Sequence, residues 1–294
     1  MKKSLTKYNR GTYRLFVFPA LVLYLAFALT PILTSVVYSF TDWNGLSKNF
    51  EFIGFSNYLS MFQDARLGNA MRFTLIYTLL YVIGVLILSL ICAQALNSKI
   101  RGQTFFRSVF FFPAVLSMIA IGMIWNEIFY RAFPAFGQAL GIEWLQRNIL
   151  GNPDTAMYGI LAVSLWQGIA IPTVLLIAGF QVIPRELYEA ATIDGANAWQ
   201  RFYSITIPFL IPVINVVLVL ALKAGITVFD NIRVLTDGGP GRVTESISLL
   251  IYRNAFVDHK FSFGVTQSIV LFLLIAAISL IQFGVLNKKE VGEV

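Results

Sequence analysis

The chain has 294 residues, 57% of them hydrophobic and 15% aromatic, and only 13% charged. That is too apolar for an ordinary soluble domain, and the apolar residues fall in runs of about 20 or more, the length a helix needs to cross a bilayer core of about 30 Å. A transmembrane β-barrel is excluded, because it would show alternating segments of about 10 residues. The formal net charge of +7 sits in short loops and at the N-terminus, with no basic stripe interleaved with exposed aromatics. Membrane topology therefore explains it better than nucleic-acid binding.

Residues 1–14 are polar and carry Lys2, Lys3, Lys7, Arg10 and Arg14. The first apolar run, 15–40, contains Pro19 and Pro31 and is too long for a signal-peptide core, so it is expected to be a retained span bent near Pro31. The mixed segment 41–72, rich in aromatics, is expected to lie at the interface. Span two is placed at 73–96, followed by a basic turn with Lys99, Arg101 and Arg107. Span three is placed at 108–129, with Pro113 near its start, where the ring is tolerated. Span four, 157–181, contains Pro172. Span five is placed at 208–229, the longest loop at 230–262, and span six at 263–286. A tail, 287–294, carries Lys288 and Lys289. Cys92 is read as an apolar core residue and His259 as a loop residue without ligand partners at metal spacing.

With the N-terminus placed in the cytoplasm, the inner segments hold 12 Lys and Arg in 58 residues and the outer loops 9 in 92. The twofold density difference predicts both termini inside. The segment 183–207 then becomes a charged cytoplasmic island between two spans. A helix over 186–193, a turn at Gly195 where a Cβ would hinder, and a resumed helix from Asn197 form a hairpin. Its aromatics, Trp199, Phe202 and Tyr203, are expected to face the membrane domain. Such a hairpin suits a groove on a partner.

Within it, Glu189-Ala190-Ala191, then Gly195, then Ile205-Thr206-Ile207-Pro208 resembles the EAA loop of permease subunits of bacterial ABC importers. Ile207 stands where leucine is usual. The longer string EAATIDGA is similar to the carbohydrate group, and the stretches 52–58 and 229–240 resemble its flanking segments, so the likeness covers nearly the whole chain. The resemblance implies an all-α integral membrane protein with six transmembrane helices, the type I importer permease fold with both termini inside, in the bacterial inner membrane. It implies a second, similar permease, two ATP-binding subunits and an extracytoplasmic solute-binding protein as partners. No cofactor is expected in this chain, ATP and magnesium belonging to the ATPase, and no GxxxxGK[ST] stretch occurs. It also implies that Glu189, Ala190, Ala191, Asp194, Gly195 and Pro208 couple to the ATPase. Sugar is the implied solute, with polyols or glycerol-phosphate-like solutes as the alternative. A secondary transporter or a membrane scaffold are the rival classes.

Polar groups inside spans are functional candidates by default. Lys223, read as near the middle of span five, faces either the translocation cavity or an ion-pair partner on a neighbouring subunit. Trp125, Asn126, Trp166, Gln167, Asp230 and Asn231 are candidates to stack on and hydrogen-bond a sugar, with interface anchoring as the competing role. Gly238, Gly239 and Pro240 form either a plain outer turn or an element that receives the binding protein or gates the outer mouth.

Overall fold

The computed structural model describes residues 5–97 and 102–286. Lys2, Lys3, Lys99, Arg101 and the tail 287–294 lie outside the described residues. Among the described residues the regular structure is helical, apart from one isolated antiparallel bridge, Thr41 to Phe52. Four helical stretches are long and apolar enough to span a membrane: Leu15–Tyr38, Ala65–Asn97, Ala198–Ile226 and Phe261–Gln282. Two further apolar stretches are broken: Gln103–Val115 with Met118–Leu140, bent by 100°, and Ala156–Gly168 with Ala170–Val182, bent by 44°. Counting each bent pair as one span makes six.

The broken pairs differ from the straight spans expected at 108–129 and 157–181. Leu116 and Ser117 adopt extended backbone, with ψ of 146° and 132°, so helix ends there and restarts at Met118. Pro113 sits inside the helix Gln103–Val115, in its last turn, not at a start. Its missing N–H leaves that turn one hydrogen bond short. Pro172 acts through the residue four before it. In a continuous helix its ring would strike the Gly168 carbonyl, and the helix is interrupted at Ile169.

Three other prolines widen the helix ahead of them. π-Turns at Leu25–Leu29, Ile128–Ala132 and Phe202–Thr206 are each followed at once by a helix with proline at its first or second position. Those prolines are Pro31, Pro134 and Pro208. In each case the carbonyl the ring would strike belongs to the third residue of the π-turn, and the wider turn accommodates it. The bend expected near Pro31 is thus a π-turn on its N-terminal side.

The chain divides into two compact units. One comprises residues up to Asp64 together with Ile251–Phe272. Here the segment after the first span is a tight cap. Trp43 stacks on Tyr38 at 4.5 Å and meets Phe261 edge-on at 5.0 Å. Asn57 donates from Nδ2 to the carbonyls of Ser39 and Thr41, and Thr41 and Ser262 share a hydroxyl bond of 3.0 Å. Aromatic and hydroxyl contacts together hold irregular backbone whose polar groups need partners.

The other unit comprises Ala65–Leu250 and the chain from Leu273. Its core is the 33-residue helix Ala65–Asn97 packed against Ala170–Val182 and Ile207–Ile226. Lipid tails are as apolar as these side chains, so close packing rather than transfer from water holds such helices together. Small residues make the contacts. A Cβ on Gly225 would lie 2.8 Å from Thr78 Cγ2, and one on Gly179 would lie 2.8 Å from Leu210 Cδ2. The part of the longest predicted loop that falls here, residues 230–250, contains the helix Asp230–Leu235.

Candidate functional site

The hairpin begins where the helix Ala170–Val182 stops. Ile183 is extended, as the residue before a proline prefers, and Pro184 caps the helix Arg185–Ile193. That helix ends in a six-residue closing pattern. The Ala196 N–H donates to the Ala191 carbonyl at 2.8 Å and the Gly195 N–H to the Thr192 carbonyl at 3.1 Å. These are the two bonds of a Schellman motif, and its left-handed position is Gly195, at φ +79°. The next helix starts at once. Asn197 accepts from the Gln200 N–H at 2.9 Å while its own N–H donates to Gln200 Oε1 at 2.8 Å, a closed capping box.

Two bonds tie the arms. Tyr188 Oη and Thr206 Oγ1 lie 2.8 Å apart, and Arg201 donates to Thr192 Oγ1. Glu189, Ala190, Asp194 and Gly195 are exposed, Ala191 and Pro208 half-buried. Pro208 stands at the start of Ile207–Ile226, directly after the π-turn. Trp199, Phe202 and Tyr203 pack on one another, with centroids 5.1 to 5.9 Å apart. These aromatics were expected to face the membrane domain; on this chain Trp199 and Tyr203 are exposed, as are Leu187 and Ile193, and Phe202 is half-buried. The short helix Arg185–Ile193 has no buried residue, so Leu187 and Ile193 stay exposed among the described residues.

A second feature lies among the helices. A cavity of about 260 Å³ is bounded by Tyr77 and Tyr81 of the long helix, Ser164 and Gln167 before the break at Ile169, and Asp230 and Asn231. Asn231 Nδ2 donates to Ser164 Oγ at 2.8 Å, and the Ser164 hydroxyl donates to the Ile160 carbonyl. Tyr77 and Tyr81 stack nearly parallel, 6.1 Å between centroids. Gly168 permits this arrangement, because a Cβ there would fall 2.1 Å from Tyr81 Oη.

Of the six expected sugar-contacting residues, Gln167, Asp230 and Asn231 line this cavity. Trp125 and Trp166 are not in its lining; they meet edge to face at 5.6 Å. Asn126 is used structurally, donating to the Val234 carbonyl at 3.0 Å. Lys223 was expected near mid-span. It lies instead in the last turn of Ile207–Ile226, because the helix stops at Ile226 although the apolar run continues to Phe229. There its charge favourably meets the helix C-terminus. It is exposed and does not line the cavity. Tyr77 and Tyr81 were missed, although Phe73, Tyr77 and Tyr81 recur four residues apart and so share a helix face.

The turn at Gly238, Gly239 and Pro240 is held by its neighbours. Thr244 Oγ1 donates to the Gly239 carbonyl at 2.6 Å and contacts Thr236 Oγ1 at 2.9 Å. Gly238 has φ +79° and the bond before Pro240 is cis. Beside it Arg66 grips Glu245 with two nitrogens.

Comparison with known proteins agrees with this architecture. Residues 86–291 match the family described as binding-protein-dependent transport system inner membrane component. The chain is 42% identical over 291 residues, 99% of each chain, to the multiple sugar-binding transport system permease protein MsmF of Streptococcus mutans. It is 35% identical over 292 residues, again 99% of each, to the probable starch degradation products transport system permease protein AmyD of Thermoanaerobacterium thermosulfurigenes. Its fold is similar to that of a chain from a bacterial ABC transporter involved in the import of the acidic polysaccharide alginate. There the TM-score is 0.80 at 20% identity, over 97% of this chain and 99% of that one. With its apolar helices, polar hairpin and full-length relatives, the chain belongs to the family of binding-protein-dependent transport system inner membrane components.

Proposed function

We propose that this chain is one permease subunit of an ATP-driven importer of carbohydrates, forming half of the translocation pathway and coupling to a separate ATPase through the hairpin 183–207. The hairpin's construction carries the reading. The chain spends a Schellman turn, a capping box and two inter-arm bonds on a segment whose fully buried residues are Ile183 and Thr206. Rigid, exposed and apolar at Leu187, Ile193, Trp199 and Tyr203, it is shaped to fill a groove on another protein. The Lys and Arg asymmetry supports its cytoplasmic placement.

The family description supports a solute-binding protein as partner, and the relatives' names support sugars as solutes. A second permease is supported by the first span. None of the apolar window of Leu15–Tyr38 is buried within this chain. Mechanically, ATP binding favours one of two packings of the bundle, and the hairpin transmits that choice to the helix Ile207–Ile226 that it enters through the π-turn Phe202–Thr206. ATP and magnesium belong to the ATPase.

The experiment is co-purification from membranes of cells expressing the whole system. Wild type is expected to retain an ATP-binding subunit, and Glu189→Arg or Gly195→Val to lose it while still inserting in the membrane. Retention of the ATPase by both variants, or solute uptake persisting after the ATPase is deleted, overturns the proposal and favours a secondary transporter. An impermeant label that reaches a cysteine at position 189 from outside intact cells overturns it as well.

A further inference from the structure

The cavity between the long helix and the broken fourth span has one side chain in its lining that carries a formal charge, Asp230. The other polar groups there are neutral: the hydroxyls of Tyr77, Tyr81, Ser164 and Thr227 and the amides of Gln167 and Asn231. No Lys or Arg is among them. Sites for carboxylate or phosphate use Arg or Lys, whose donors match those oxygens, and Asp230, exposed yet in the lining, puts a negative charge beside the cavity that repels anions. Hydroxyls and amides in both donor and acceptor roles, beside a stacked tyrosine pair, match a neutral polyhydroxylated ring.

We infer that this cavity admits neutral polyhydroxylated solutes and turns away anionic ones, and that Asp230 sets that preference. The inference rests on the importer reading and narrows it. Fold does not decide the point, since a chain of similar fold serves an importer of an acidic polysaccharide. The lining decides it.

Two competing accounts are specific. Asp230 opens the helix Asp230–Leu235, where a carboxylate stabilises a helix N-terminus whatever the cavity contains. Lys223 lies one turn before Thr227 on the neighbouring helix, exposed and outside the lining, and would act with the opposite sign. An assay of the cavity's electrostatic sign separates the three.

Cys92→Ser removes the native thiol, and Met118→Cys places a new one in the cavity wall on a different element from both charges. The complete transporter, in nanodiscs, is treated with a cationic and an anionic methanethiosulfonate of similar size. Each rate is divided by that of the same reagent with a free thiol in solution, because a thiolate by itself favours the cationic reagent. The normalised cationic rate is expected to exceed the anionic one by on the order of tenfold. Asp230→Asn should bring the two normalised rates together, and Asp230→Glu should keep them apart. A faster normalised anionic reaction assigns the field to Lys223 and overturns the inference. A ratio unmoved by Asp230→Asn reduces Asp230 to a helix-end residue and overturns it too. A thiol that reacts with neither reagent removes the cavity from any water-filled path, with the same consequence. Uptake of glucuronate or glycerol 3-phosphate by cells carrying the wild-type transporter also overturns it. The thiol assay reads the cavity whether or not an ATPase is coupled, so its failure leaves the hairpin proposal standing.

Discussion

Arg66 and Glu245, 179 residues apart in sequence, form a forked ion pair, Nε to Oε2 at 2.9 Å and Nη2 to Oε1 at 2.8 Å. Glu245 is 2% exposed and the Arg66 side chain 22%. The pair joins the first turn of the long helix to the end of the turn that contains Gly238, Gly239 and Pro240. Breaking a buried pair from one side leaves a desolvated charge and costs about 3–5 kcal/mol. Arg66→Met should therefore lower the thermal unfolding midpoint of the purified protein markedly, and Arg66→Met with Glu245→Gln should recover part of the loss. Equal midpoints for Arg66→Met and wild type would show that the fork contributes nothing.

Tyr81 and Gly168 are matched in shape. Adding one methyl group at 168 places it 2.1 Å from Tyr81 Oη and 3.0 Å from Cζ. Overpacking of this kind costs about 1–3 kcal/mol. Gly168→Ala is expected to reduce both stability and uptake. Tyr81→Phe added to it should restore stability in part, because the hydroxyl leaves while the ring remains. No recovery in a double-mutant cycle would mean the two residues are not coupled.

Gly195 tests backbone against volume. Its φ is +79°, yet a Cβ there would meet nothing within 4 Å. Substitution is thus penalised by the left-handed conformation alone, about 1–2 kcal/mol for an L-residue and less for asparagine. ATPase-coupled uptake should fall least for Gly195→Asn, more for Gly195→Ala and most for the β-branched Gly195→Val. If loss follows side-chain size with asparagine worse than alanine, a partner surface rather than the turn sets the limit.

Asn197 closes the capping box of the second arm. Asn197→Ala should cost about 1 kcal/mol locally, and Asn197→Asp much less. Hydrogen exchange at the Gln200 amide, which Asn197 Oδ1 accepts from, reads this directly. An unchanged exchange rate in Asn197→Ala would show that the box is not what holds the arm.

Much of the hairpin was legible in the chain because its instructions are local. Pro184, Gly195, Asn197 with Gln200, and Pro208 each act on backbone within a few residues. Pro31 also signalled a disturbance, although whether it would be a bend or a widened turn depended on the geometry of the preceding carbonyl. What the hairpin's residues did not show is how much of Trp199 and Tyr203 this chain leaves exposed, since exposure is a property of the whole surface.

The sequence by itself determined that this is a helical membrane protein with six apolar segments and a polar hairpin, because span length and turn chemistry are written in consecutive residues. Only the tertiary structure decided where helices break, that Lys223 ends a helix instead of lying in the middle of a span, and that Tyr77, Tyr81, Gln167, Asp230 and Asn231 share one cavity. It also decided that Arg66 meets Glu245. These residues come from segments tens to hundreds of positions apart. In a run that is apolar on every side, no local pattern marks which face turns toward a neighbour, so packing alone selects it.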